Sequence, residues 1–130
     1  MNIREKFNKF LASIGFELIE EYLSPFFGDF SDTYSNENVY IHVVSDRSII
    51  SIHVSSLEDK EVWFDLGLLT DLLSDEQDLT KVKTEEEHRD FLETHLSDIY
   101  DLFSKKNYFS TKKRLNLLGE KRAKQLFPNS

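Results

Sequence analysis

The four histidines come first, because imidazole titrates near neutrality and is the commonest neutral metal ligand. His42 and His53 fall in two segments of β-type alternation, Val39–Val44 and Ile49–Val54. With Asp46-Arg47 as the connecting loop, Tyr40 faces His53 and His42 faces Ser51, so the two imidazoles meet only on a diagonal. A metal centre would need further ligands, and the sequence names none beside them. The pair reads as half-exposed strand residues packing near Tyr40. His88 and His95 stand seven apart in one helical segment, two turns along one face. They lack the i, i+4 spacing of a zincin helix and flank an apolar stripe instead.

The carboxylates are numerous, so pairs arise by chance. Asp29 and Asp32 bracket Phe30, and Glu85-Glu86-Glu87 form a run. Two-carboxylate glycoside hydrolysis needs a set separation across a cleft, and no pair here is singled out for it. The glutamate run is accounted for by the positive end of a helix dipole. No serine sits in a Gly-x-Ser-x-Gly elbow, and four scattered glycines make no phosphate loop. The absence of cysteine excludes a disulfide framework, a thiolate metal site and a cysteine nucleophile. No catalytic residue, metal site or cofactor is expected, although an enzyme whose pocket is invisible in the sequence stays open as an alternative.

The 130-residue chain carries a net charge of −8, unevenly spread. Residues 1–103 hold 23 acidic and 8 basic residues, a net of −15, and residues 104–130 hold 1 acidic and 8 basic, a net of +7. An acidic body repels phosphates, which disfavours nucleic acid as a partner. The basic end, with Lys105-Lys106, Lys112-Lys113-Arg114 and Lys121-Arg122-Lys124 near Tyr108 and Phe109, leaves a nucleic-acid accessory role as a further alternative. The plainer reading is a helix that neutralises the acidic body. The charged opening residues differ from a signal peptide, and no apolar run approaches the roughly 20 residues that span a bilayer. A cytoplasmic protein with no membrane association is expected.

These residues need elements to hold them, and the apolar spacing supplies an outline. Phe7, Phe10, Leu11 and Ile14 follow helical spacing, Asn2 caps the first turn and Gly15 stops it, giving a helix over 1–14. A sheet is expected over 16–55. In its first strand Phe16, Leu18 and Glu20 share one face, and a second strand runs from Phe27 to Tyr34 with Gly28 marking a bulge or a close backbone approach. After a turn at Ser35–Asn38 comes the hairpin. There Val43 opposes Ile50, Ile41 opposes Ile52 and Val39 opposes Val54, all on one face, which fixes the register parity. Asp65 is a candidate N-cap for a short leucine-rich helix within 62–74. Thr84 with Glu87 makes a capping box for a helical region over 84–127. Phe91, Leu92, Leu96, Ile99, Leu102 and Phe103 line its first helix, and Leu115, Leu118 and Leu126 its last, basic one. The expected class is α+β, a single domain over 1–130. It has an N-terminal helix, a three- to four-stranded antiparallel meander sheet, and three C-terminal helices packed on one face.

Several short patterns carry a resemblance. They are Ile14-Gly15-Phe16, Phe27-Gly28, Val43-Val44-Ser45-Asp46-Arg47, Trp63-Phe64-Asp65-Leu66, Tyr100-Asp101-Leu102-Phe103-Ser104, Asn107-Tyr108 and Arg122-Ala123-Lys124-Gln125-Leu126-Phe127. Together they span most of the chain, and the chain resembles a group of small bacterial proteins similar to the immunity proteins of toxin–immunity systems. Many of that group carry Gly after the Asp-Arg pair where this chain has Ser48, which leaves the turn type open. The resemblance implies a non-enzymatic role, neutralising a toxin domain.

An acidic binder of this kind attracts a basic toxin domain and gains association rate from charge steering. The expected function is protein binding, by a monomer or homodimer. The expected contact surface is the solvent side of the hairpin: Tyr40, His42, Asp46, Arg47 and His53, with Asp29 and Asp32 nearby.

Overall fold

The computed structural model describes residues 1–26 and 28–129. The class is α+β as expected: a helix, antiparallel strands, then three helices. The chain divides into two units, residues 1–63 and 64–130.

The first unit opens with α1 (Ile3–Ser13), where the Asn2 side chain accepts the Glu5 N–H at 2.9 Å. Phe7 and Leu11 are its buried stripe, and Gly15 ends the turn at φ +95, a conformation that a Cβ disfavours. Four strands follow: β1 (Glu17–Leu23), β2 (Phe30–Ser35), β3 (Val39–Asp46) and β4 (Ile49–Ser56). Each pairs antiparallel with the next, a simple meander. Asn36 shapes the turn before β3 by accepting the Asn38 and Val39 N–H groups at 2.8 and 3.0 Å.

Two details of the outline differ. The second strand begins at Phe30, not Phe27, and Phe27 itself lies outside the described residues. Gly28 takes φ +66 in the turn before the strand, and the Ser24 N–H donates to the Asp29 carbonyl at 2.7 Å across that turn. The register irregularity sits instead at Ile19 in β1. It switches the alternation: Leu18 pairs with Tyr34, but Glu20 pairs with Thr33 and Glu21 with Asp32. Glu20 is thereby moved off the face of Leu18, where simple alternation had put it.

The pleat gives the sheet one buried face, carrying Phe30, Tyr34, Val39, Ile41, Val43, Ile52 and Val54. Burying each of these contributes on the order of 1.5–3 kcal/mol, so a one-residue slip is forbidden. The parity read from the sequence is therefore the observed one, but the register is slid by two residues. Val43 opposes Ile52, Ile41 opposes Val54 and Val39 opposes Ser56. The loop is Arg47-Ser48, not Asp46-Arg47, with φ values of +52 and +67. Positive φ at both central residues is the sign pattern of a type I′ turn, whose twist matches the strands. The Asp29 carboxylate accepts the Arg47 N–H at 2.8 Å and supports that turn from a site 18 residues away.

Asp32 also corrects an expectation. It points to the buried face and is 2% exposed, so it is not on the solvent side of the hairpin. Both of its oxygens accept from Arg4, from Nε and Nη2, each at 2.9 Å. Arg4 also reaches Glu21 at 3.4 Å and lies over the Phe30 ring at 5.7 Å. The Asp32 hydrogen bond raises the Arg4 guanidinium pKa. Burial, with the Asp32 charge next, pushes the neighbouring Tyr34 phenol up to about 12.

The second unit begins with the two-residue strand β5 (Phe64–Asp65), followed by α2 (Leu66–Ser74), α3 (Glu85–Leu102) and α4 (Tyr108–Leu126). Asp65 caps α2 by accepting the Gly67 N–H at 3.1 Å, and its second oxygen pairs with Arg122 at 2.6 Å. Buried Asp71 in α2 is neutralised by Lys83. Thr84 and Glu87 form the reciprocal capping box of α3. Its stripe buries Phe91, Leu92 and Ile99, with Phe103 after its end, and the helix kinks at His95. In α4 the buried residues are Tyr108, Thr111 and Leu115, while Leu126 is largely exposed rather than apolar-side core. The last turn is fastened by Gln125, which accepts the Leu79 N–H at 2.8 Å and donates to the Gln77 carbonyl at 2.9 Å.

Candidate functional site

The second face of the sheet formed by β1 to β4 is built from the residues left over by core formation. Ser31 and Thr33 of β2, Tyr40, His42 and Val44 of β3, and Ser51 and His53 of β4 are all half-buried. The two-residue slide of the hairpin decides their neighbours. His42 stands directly opposite His53, not diagonal to it, and Tyr40 opposes Ser55. The imidazole centroids are 6.3 Å apart.

The chain after β4 bends back over this face. The Ser55 hydroxyl donates to the Asp59 carbonyl at 3.1 Å and ties the start of the bend. Lys60 then lies over the Tyr40 ring at 5.9 Å, and the Trp63 ring centroid comes within 5.3 Å of His42. The result is a groove in two adjoining halves. One half, of about 320 Å³, is lined by Glu20, Tyr22, Ser31, Thr33, His42 and Trp63, with Glu21 at its rim. The other, of about 280 Å³, is lined by Ile19, Glu20, Thr33, Tyr40, Lys60 and Trp63. Both halves are open to solvent.

The expected site residues separate into three places. Tyr40, His42 and His53 share the groove face. Asp46 and Arg47 stand exposed at the hairpin tip, with Asp29 bound to the Arg47 backbone. Asp32 is on the opposite, buried face with Arg4. Reading the sequence missed Trp63, Lys60, Ser31, Thr33 and Glu20. The one tryptophan of the chain sits just after a polar link, and a half-buried tryptophan beside a sheet is an ordinary anchor for a partner.

The chemistry available here is hydrogen bonding, stacking and charge. The Ser31 hydroxyl and His42 Nε2 are 2.6 Å apart, a hydroxyl–imidazole distance that a nucleophile and base also use. They sit on the adjacent strands β2 and β3, and β2 is paired on both sides, with β1 and β3. Burial, and then the charge of His53, lower the His42 pKa, so its imidazole is neutral at pH 7. Among the described residues no group of three or more His, Cys, Asp or Glu side chains could hold a metal ion. His88, in the other unit, is buried with its pKa lowered by that burial, and His95 pairs with Asp98 at 2.9 Å.

Among the described residues no helix is long and apolar enough to cross a membrane. In comparisons with known proteins, no family model, no curated protein and no solved structure matches the chain.

Proposed function

We propose that this is a cytoplasmic, non-enzymatic protein-binding domain that docks a basic protein on the groove face of its sheet, in the manner of a bacterial immunity protein neutralising a toxin domain. The observation that carries this reading is the cluster of Tyr40, His42, His53 and Trp63 on one open sheet face, bordered by Glu20 and Glu21. Rigid aromatic anchors surrounded by polar groups are what dominates binding energy at protein interfaces. Charge points the same way: residues 1–63 hold 11 acidic and 5 basic residues, a net of −6, which steers a cationic partner.

The test is the Tyr40→Ala/Trp63→Ala double variant. Both rings are half-buried on the solvent side, so the far-ultraviolet circular dichroism should match wild type. A partner captured from the source cell with the wild-type chain is then titrated by calorimetry against both forms. Loss of two anchors should weaken binding at least about 30-fold, corresponding to about 2 kcal/mol. Unchanged affinity in the folded double variant overturns the proposal.

A further inference from the structure

We infer that the free edge of β1 is a strand-addition site for an extended, cationic segment of a partner protein. The inference deepens the protein-binding reading and rests on it, but it names a different recognition mode and a different element.

Strand β1 ends the strand order, and among the described residues no strand pairs with its outer edge. It is seven residues long, which leaves a row of backbone N–H and C=O groups for another chain. Natural edges are commonly blunted by lysine, proline or short length. The segment Glu17–Leu23 has no lysine and no proline; its protective devices are the irregularity at Ile19 and its glutamates, and a cationic strand would be attracted by the latter. Beyond it, Glu20 to Leu23 pair in regular register with Thr33 to Phe30 on the inner side. That leaves a straight four-residue template.

Between its glutamates this edge carries exposed apolar side chains. Ile19 is 46% exposed, Tyr22 62%, Leu23 56%, and Phe26 just beyond the strand 69%. Tyr22 pairs with Ser31 and Leu23 with Phe30, so the edge offers an exposed apolar group on each face of the sheet to the side chains of an added strand. The edge also adjoins the groove, because Ile19, Glu20 and Tyr22 line it.

Charge selects the occupant. β1 carries Glu17, Glu20 and Glu21 and no basic residue. A second copy added through its own β1, in parallel register or antiparallel about Glu20, would set Glu20 against Glu20, and like charges directly opposite destabilise. Glu17 and Glu20 share the groove face, whereas Glu21 faces the other side and pairs with Arg4. A strand with Lys or Arg at alternate positions would meet Glu17 and Glu20, while its backbone would complete the ladder. The site is thus expected to read main chain for affinity and charge for choice of partner.

The probe is a seven-residue peptide alternating lysine and valine, with two controls: the same peptide N-methylated at alternate amides, and a glutamate–valine peptide. Binding is followed by amide NMR shifts and hydrogen exchange on the full chain. The expected result is shifts concentrated at residues 20–23 and about tenfold slower exchange there. The N-methylated and glutamate peptides should not give it, and Glu17→Lys/Glu20→Lys should lose it at least tenfold while keeping its fold. The inference is overturned if the lysine peptide produces no response at residues 20–23 at millimolar concentration, or if the N-methylated peptide binds equally well. Shifts confined to Tyr40, His42 and Trp63 would also overturn it while leaving the groove-face reading intact. Conversely, edge binding that persists in Tyr40→Ala/Trp63→Ala, together with unchanged partner affinity in that variant, would overturn the groove-face reading alone.

Discussion

Arg4→Met should cost about 2–3 kcal/mol of folding stability, a large effect for one residue of a first helix. Asp32 is 2% exposed, and both carboxylate oxygens are held by Arg4 at 2.9 Å. Breaking a buried pair by removing one partner costs about 3–5 kcal/mol, because the remaining charge is left uncompensated. The Arg4 side chain keeps 24% of its surface in solvent, so water can reach the vacated position, which argues for a value of about 2–3 kcal/mol, at or just below the bottom of that range. Methionine keeps an apolar stem but removes the guanidinium, which also lies over the Phe30 ring, so the loss reports the charge in both contacts. With a urea slope of about 1–2 kcal/mol/M, the unfolding midpoint should fall by about 1–3 M. Asp32→Asn should cost less, about 1–2 kcal/mol, since the guanidinium left behind is partly hydrated. The double variant should fall short of the summed costs by about 1.5–2 kcal/mol, the coupling of the pair. Additive single costs, or an Arg4→Met cost below about 0.5 kcal/mol, would refute the claim that this pair fastens α1 to β2.

Ser48→Gly should stabilise the chain by about 0.5–1 kcal/mol, since φ +67 costs a residue with a Cβ about 1–2 kcal/mol and glycine gives back part of that in chain entropy; a lower thermal midpoint would contradict the turn assignment. Thr84→Ala removes one half of the α3 capping box and should cost about 1 kcal/mol in urea unfolding, with fraying visible in hydrogen exchange at residues 85–88. Burial lowers the pKa of both His42 and His88 below the ordinary 6.5. Between the lowered values and 6.5 the unfolded chain binds more protons, so stability is intact above about pH 6.5 and is lost as pH falls through that window. Urea midpoints measured from pH 7.5 to 5.5 should decline, and His88→Gln should flatten the decline; a rise on acidification would contradict it.

The helices and the parity of the hairpin were legible in the sequence because their causes are local. Asn2, Asp65 and Thr84 each cap the helix that follows them, and Val39, Ile41, Val43, Ile52 and Val54 alternate into the core. What the sequence hid was set by contacts between distant residues. The two-residue slide that pairs His42 with His53 goes with a turn supported by Asp29, 18 residues upstream. Asp32 looked like a surface acid because nothing local reveals Arg4, 28 residues away, as its partner. The irregularity at Ile19 sends Glu20 into the groove face, and no glycine marks it. Trp63 joins the site only because the link after β4 folds back. Leu126 fitted the helical spacing, but Gln125 makes the last-turn contacts.

Hydrogen exchange of the chain with and without its captured partner tests the groove-face claim most directly. The account predicts slowed exchange across β2 and β3 around Thr33, Tyr40 and His42 and in the 60–63 link, with α4 unchanged. Protection confined to the basic residues of α4, with the sheet unaffected, would contradict it.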